Sequence, residues 1–252
     1  MLSLHHPALR LKREFRLFCA WVLLLTGAVV SAAESPVPPK RTTRTVSGWT
    51  LHIDDRLTAA QPQVTEVAVA LLQQQLGEIL SVVPALAVTE LRKVPLYFSP
   101  EYPGIQPRAE YHPNGAWLRE HGRDPVMARA VEFTNIRIFE REMSRMPNFA
   151  LHELAHAYHH RVLRLSFGNP EILAAHARAK AGGTYDLVAR RFGNGRPETR
   201  ERAYALTTPQ EFFAETTEAF FSHNDYFPFT LEDLQRHDPE TRALLEILWG
   251  TK

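Results

Sequence analysis

Trp49-Thr50-Leu51-His52-Ile53 alternates apolar and polar side chains, the period-two pattern of a half-buried strand. From Pro62 the period changes. Val64, Val67, Ala68, Leu71, Leu72, Ile79 and Val82 recur at helical spacing, interrupted at Gln75, and predict an amphipathic helix that ends before Pro84. Residues 94–98 read as a second strand, with Pro95 favouring its start or an edge. Residues 100–125 are rich in Pro and Gly, with a turn or edge segment at 111–115, and residues 131–133 form a third short strand. A strong helix begins after Pro147, followed by helical stretches over 170–181, 209–222 and 231–249. Two of these starts, Thr208-Pro209-Gln210-Glu211 and Thr230-Leu231-Glu232-Asp233, fit a capping box. Strands up to about residue 135 and helices beyond predict an α+β domain, a small mixed sheet followed by a mainly helical part.

The start of the chain has a different character. Arg10, Lys12, Arg13 and Arg16 precede an apolar run over 17–30 and then Ser31-Ala32-Ala33, the three parts of a secretory signal peptide. The run is too short for the roughly 20 residues of a membrane-spanning helix, and Cys19 follows Phe18 in mid-run, where lipidation needs a small residue. Residues 1–33 are therefore expected to be a signal peptide, 34–47 a proline-bearing linker, and 48–252 one domain with no stable membrane association after cleavage. The protein is expected to be secreted or periplasmic.

Composition then excludes several classes. The 252 residues are 44% hydrophobic and 23% charged, unlike a disordered tail, a collagen-like fibre or a multi-span membrane protein. Lys+Arg 29 against Asp+Glu 28 gives +1, so no charge excess points to nucleic acid. The single Cys lies in the leader, which leaves a mature chain without thiols and excludes cysteine catalysis and Cys-rich metal clusters.

Among the 12 His, His152 and His156 belong to a His-Glu-x-x-His pattern. Four residues along a helix is a rotation of about 40° and a rise of about 6 Å, so both imidazoles can grip one metal ion. Glu153 then stands beside the ion, able to take a proton from metal-activated water. Chance alone produces the pattern about one time in twenty in a chain of this composition, and here it falls on an amphipathic helix carrying Leu151, Leu154, Ala155, Tyr158, Val162 and Leu165 as its apolar stripe. A zinc hydrolase needs a third protein ligand and one open position. His159 lies about 10 Å from His152 along the axis, and the extended signature fails, with His159 where glycine is needed and Val162 where the last histidine is needed. Downstream, Glu211-Phe212-Phe213-Ala214-Glu215 offers two carboxylates four apart on one helix face, with Glu218 three further on. Spacing leaves Glu211 and Glu215 even as ligand; the plainer readings are a capping residue for Glu211 and a solvated charge for Glu215.

His-Glu-x-x-His, then Tyr204, then Glu211 within Glu-Phe-Phe-Ala-Glu resembles the catalytic domain of anthrax lethal factor and the secreted proline-proline endopeptidases. The resemblance is clear over roughly residues 147–222. It implies a zincin-like fold that cuts peptide bonds with one zinc per chain. His152, His156 and Glu211 would be the zinc ligands, Glu153 the general base, Glu215 the acidic residue behind the ligands, and Tyr204 the phenol on the oxyanion. Glu211 lies 55 positions after His156 (211 − 156), a wider separation than in that group, and the sequence does not place the intervening insert, 163–200, relative to a cleft.

The expected function is a zinc metallopeptidase, an endopeptidase acting on a peptide or protein substrate. Rivals are a catalytically silent zinc- or peptide-binding module of the same fold, and a zinc amidase on a non-protein substrate. Tyr111, His112 and Trp117 read as a structural turn before a cleft wall, His159 and His160 as surface groups or groups behind the ligands, and His176 as solvated. Ser222-His223-Asn224-Asp225 reads as a helix stop before a second metal site.

Overall fold

A computed structural model describes residues 38–251; the expected signal peptide and residues 34–37 of the expected linker lie outside them. From Pro38 on the chain forms one compact unit.

The first strand corrects the linker reading. β1 (Arg41–Val46) pairs antiparallel with β2 (Trp49–Asp54), with Val46 opposite Trp49. Three β-branched threonines suit an edge strand, and the two-residue turn is Ser47-Gly48, both at positive φ (49° and 91°) as such a hairpin requires. A Cβ on Gly48 would collide with the Arg92 guanidinium, which lies over the Trp49 ring.

Helices α1 (Asp55–Ala60), α2 (Pro62–Val82) and α3 (Ala85–Leu91) then carry the chain to β3 (Leu96–Phe98), parallel to β2. β4 (Ala109–Tyr111) is followed by α4 (Gly115–Glu120) and by β5 (Val131–Phe133). The five strands run in the order β1-β2-β3-β5-β4, with β3 and β5 parallel and β4 antiparallel at the edge. Short α5 (Phe139–Met143) leads into α6 (Phe149–Arg161). Leu51, Ile53, Phe98 and Phe133 of the sheet, Leu72 and Leu76 of α2, and Leu151 and Leu154 of α6 are all fully buried in one core.

Gln75, the polar break in the α2 stripe, is itself fully buried. Its Oε1 accepts from the Ala150 amide at 2.8 Å, and its carbonyl accepts from Asn148 Nδ2 at 3.0 Å. Asn148 Oδ1 in turn accepts from the Leu151 amide. The free amides at the start of α6 are thus satisfied from inside the core. At its other end the expected stripe fails: α6 stops at Arg161, and Val162 and Leu165 are exposed.

The 163–200 insert is a folded unit. α7 (Pro170–Gly182) and a hairpin of β6 (Val188–Arg190) and β7 (Thr199–Glu201) pack with α8 (Pro209–Phe221) around a second core of Ala175, Tyr185, Val188, Leu206 and Phe212. His176, expected to be solvated, is buried there and bonds the Leu206 carbonyl through Nε2 at 3.2 Å. The helix expected over 231–249 is two, α9 (Leu231–His237) and α10 (Pro239–Trp249), because Pro239 has no amide to continue α9 and Asp238 caps a new start on the Thr241 amide. No helix among the described residues is long and apolar enough to cross a membrane.

Candidate metal centre

Helices α6 and α8 pack against each other and place three side chains together. His152 and His156, one turn apart on α6, approach with Nε2 to Nε2 at 3.1 Å. Glu211 enters from the first turn of α8. Thr208 Oγ1 accepts from the Glu211 amide, which is half of the expected capping box. The Glu211 carboxylate turns away from that box to the imidazoles, its Oε2 lying 3.1 Å from His152 Nε2 and 3.4 Å from His156 Nε2.

These three distances bear on what the triangle can hold. Tetrahedral coordination with bonds of about 2.0–2.1 Å separates ligand atoms by about 3.3 Å, which the observed edges of 3.1, 3.1 and 3.4 Å match. The proton inventory agrees. His152 Nδ1 lies 2.6 Å from Glu218 Oε1 and donates to it, so a neutral ring would present its Nε2 lone pair to a cation. A protonated ring instead donates from Nε2 to the Glu211 oxygen, and a cation in the triangle would take the place of that proton. Burial alone disfavours charge on His152, yet Glu218 and Glu211 outweigh it and hold the imidazole pKa well above its usual value. Burial likewise pushes Glu211 up, but its bonds from His152 and His156 prevail and hold it well below the carboxylate range. The three residues could hold a divalent cation.

Glu215, expected to take the hydrogen bond from a ligand imidazole, does not take it. Its nearest oxygen is 3.9 Å from His152 Nδ1, and Glu218 occupies that place instead. Burial raises Glu215 and Glu218 above ordinary carboxylates. The clue to Glu218 was its position two full turns after Glu211, on the same face of the helix.

Glu153 points into a cleft of about 230 Å³ that Tyr204, His152 and Ala109 also line. Its Oε2 accepts from the Tyr111 amide of edge strand β4 at 2.7 Å. Antiparallel alternation turns Arg108, Glu110 and His112 towards β5, where the bonds to Thr134 and Ala130 lie. Ala109 and Tyr111 therefore present their backbone groups outward. The Tyr111 hydroxyl reaches His160 Nδ1 at 2.8 Å, so one residue ties β4 to α6 at two points a double turn apart. Tyr204 is half exposed in a 3₁₀ turn (Tyr204–Leu206) before α8; burial and then the nearby Glu211 raise its phenol pKa.

The remaining histidines fall elsewhere. His159 is neither at the surface nor behind a ligand: it is fully buried between Phe167 and Phe213 with neither ring nitrogen bonded, and burial lowers its pKa to about 4. His112 is buried against Glu132 at 2.9 Å, in a network with Arg123, Glu110 and Tyr102. This second His and carboxylate cluster was missed because β-sheet register assembles it; the Arg123 guanidinium already supplies its positive charge. Trp117 stacks on His121 and His112, outside the cleft. Segment 222–225 ends α8, and Asp225 pairs with Arg145 at 2.8 Å and Arg190 at 3.4 Å. The insert reaches the cleft through Arg190.

No family model, curated protein or solved structure matches this chain.

Proposed function

We propose that the protein is an exported zinc metallopeptidase of zincin-like architecture, acting as an endopeptidase, with His152, His156 and Glu211 as the ligands of one zinc. The observation that carries this reading is the triangle of candidate ligand atoms, drawn from two helices, with His156 and Glu211 55 positions apart in sequence, and sized for tetrahedral coordination. Zinc suits a two-imidazole, one-carboxylate set with a fourth position left for water and substrate. Export rests on the pattern of residues 1–33.

Zinc bound there supplies Lewis acidity towards a scissile carbonyl and draws the pKa of water towards about 7. Glu218 holds the His152 proton on Nδ1, which directs Nε2 at the ion. Glu153, held by the Tyr111 amide, accepts the proton of the attacking water and delivers it to the leaving amine. The Tyr204 hydroxyl, high in pKa and facing the cleft, donates to the oxygen on which negative charge develops. The outward backbone groups of Ala109 and the outward Tyr111 carbonyl, whose amide partner is taken by Glu153, offer an extended peptide an edge to lie along, the geometry that presents a backbone carbonyl to the site.

The reading is tested by zinc content and cleavage of a mixed peptide pool. About one zinc per chain is expected, with hydrolysis abolished by a chelator and restored by zinc. A metal-free chain that refuses zinc would refute it.

A further inference from the structure

We propose that His160 is a positioning residue for the general base: through the Tyr111 hydroxyl it holds edge strand β4 where the Tyr111 amide meets Glu153. The catalytic role rests on the metallopeptidase reading; the brace between strand and helix does not. β4 is only three residues long, and its sheet bonds all lie on the β5 side, where the His112 amide donates to the Ala130 carbonyl at 3.0 Å and the Thr134 amide to the Arg108 carbonyl at 3.0 Å. The Tyr111 amide points the other way and donates to Glu153 Oε2 at 2.7 Å. Glu153 and His160 are seven residues apart on α6, two turns, and so share one face of the helix. The Tyr111 side chain runs along that face. Its hydroxyl lies 2.8 Å from His160 Nδ1, and the two rings meet edge to face with centroids 5.8 Å apart.

The direction of the second bond follows from the protons. Burial pushes the Tyr111 phenol up to about 12, so it keeps its proton. Burial, then Arg129 and Arg161, hold His160 below the usual imidazole value, so its ring is neutral. The hydroxyl therefore donates and Nδ1 accepts.

His160 is itself fixed. Phe167 stacks on it with centroids 4.8 Å apart and planes 18° from parallel. Phe167 stands in a 3₁₀ turn (Ser166–Gly168) that the chain enters through Leu165 and Ser166, both at positive φ (60° and 56°). Side chains other than glycine rarely adopt that backbone, and it persists where surrounding contacts fix it. The turn is held by Asn169 Nδ2, which donates to the Arg164 carbonyl at 3.2 Å. A chain of contacts thus runs from this turn through Phe167, His160 and Tyr111 to the carboxylate of Glu153. A glutamate has several free torsions, and misplacing a catalytic group by about 1 Å can cost about 100-fold in rate.

The test uses His160→Phe, which keeps a ring on Phe167 and removes the acceptor, and Tyr111→Phe, which removes the donor. Each zinc-loaded variant is expected to keep its zinc and a KM within about twofold of wild type, and to lose about tenfold in kcat. The double variant should fall no further than either single one, because both break the same bond. Deuterium exchange reads the brace without activity. The Tyr111 amide should exchange about tenfold faster in both variants, while the His112 amide, bonded inward to Ala130, should not change; general loosening of the sheet would speed both. A kcat within about twofold of wild type, an unchanged Tyr111 amide, or equal acceleration at the two amides overturns the proposal. If the zinc-loaded wild type cuts no peptide, the peptidase reading fails, and the exchange comparison alone sustains or overturns the brace.

Discussion

His152 is held from two sides, by Glu218 at Nδ1 and by the ligand triangle at Nε2. Replacing the Glu218 carboxylate by an amide leaves a weaker, neutral acceptor, which would hold the ring less firmly and lower its basicity towards a metal. Glu218→Gln should weaken zinc binding about 10–100-fold, measured by chelator competition, and Glu215→Gln should weaken it less; the reverse order would return Glu215 to the place behind the ligand. Tyr204→Phe should keep its zinc and lose about 100-fold in kcat, the loss typical of one oxyanion donor. His159 makes a different prediction. Its folded pKa of about 4 lies below the unfolded value of about 6.5. The unfolded chain therefore binds the proton first, and stability present above about pH 6.5 is lost as pH falls towards 4, at up to about 1.4 kcal/mol per pH unit. His159→Leu should flatten that slope relative to wild type in urea midpoints at pH 5 and 7.

At the scale of elements, the start of α6 depends on Gln75, which lies 75 positions before Ala150 in sequence. Gln75→Leu removes the acceptor for the Ala150 amide at the buried start of α6, and should cost about 1–3 kcal/mol of unfolding free energy, seen as a lower denaturant midpoint. An unchanged midpoint would mean the amide finds another acceptor. Periodicity was enough to place α2, β2 and the start of α6, where burial and local spacing agree. It failed at β1, whose threonines carry little hydropathy signal, and at Asp238-Pro239, where a cap interrupts a continuous stripe. The His-Glu-x-x-His pair was legible because one helix sets its geometry. The choice among Glu211, Glu215 and Glu218 was not, because all three lie on one helix face and only the crossing of α8 over α6 sets which carboxylate meets His152 Nε2 and which meets Nδ1. The Glu110, His112 and Glu132 cluster needed the β4–β5 register, which no local spacing encodes.

Across the whole molecule, the triangle ties the sheet-bearing core, through α6, to the second core built by α7, the hairpin and α8. A metal held there would bind the folded chain alone, so zinc at 100 times its Kd should add about 2.7 kcal/mol of stability, and Glu211→Ala should abolish the zinc-dependent rise in Tm. The central claim, that this bridge is also a catalytic centre, is met most directly by comparing zinc content and peptide hydrolysis in wild type and Glu153→Gln. The account predicts about one zinc per chain in both, with hydrolysis in the variant lower by two or more orders of magnitude. Equal hydrolysis by the two proteins would contradict it.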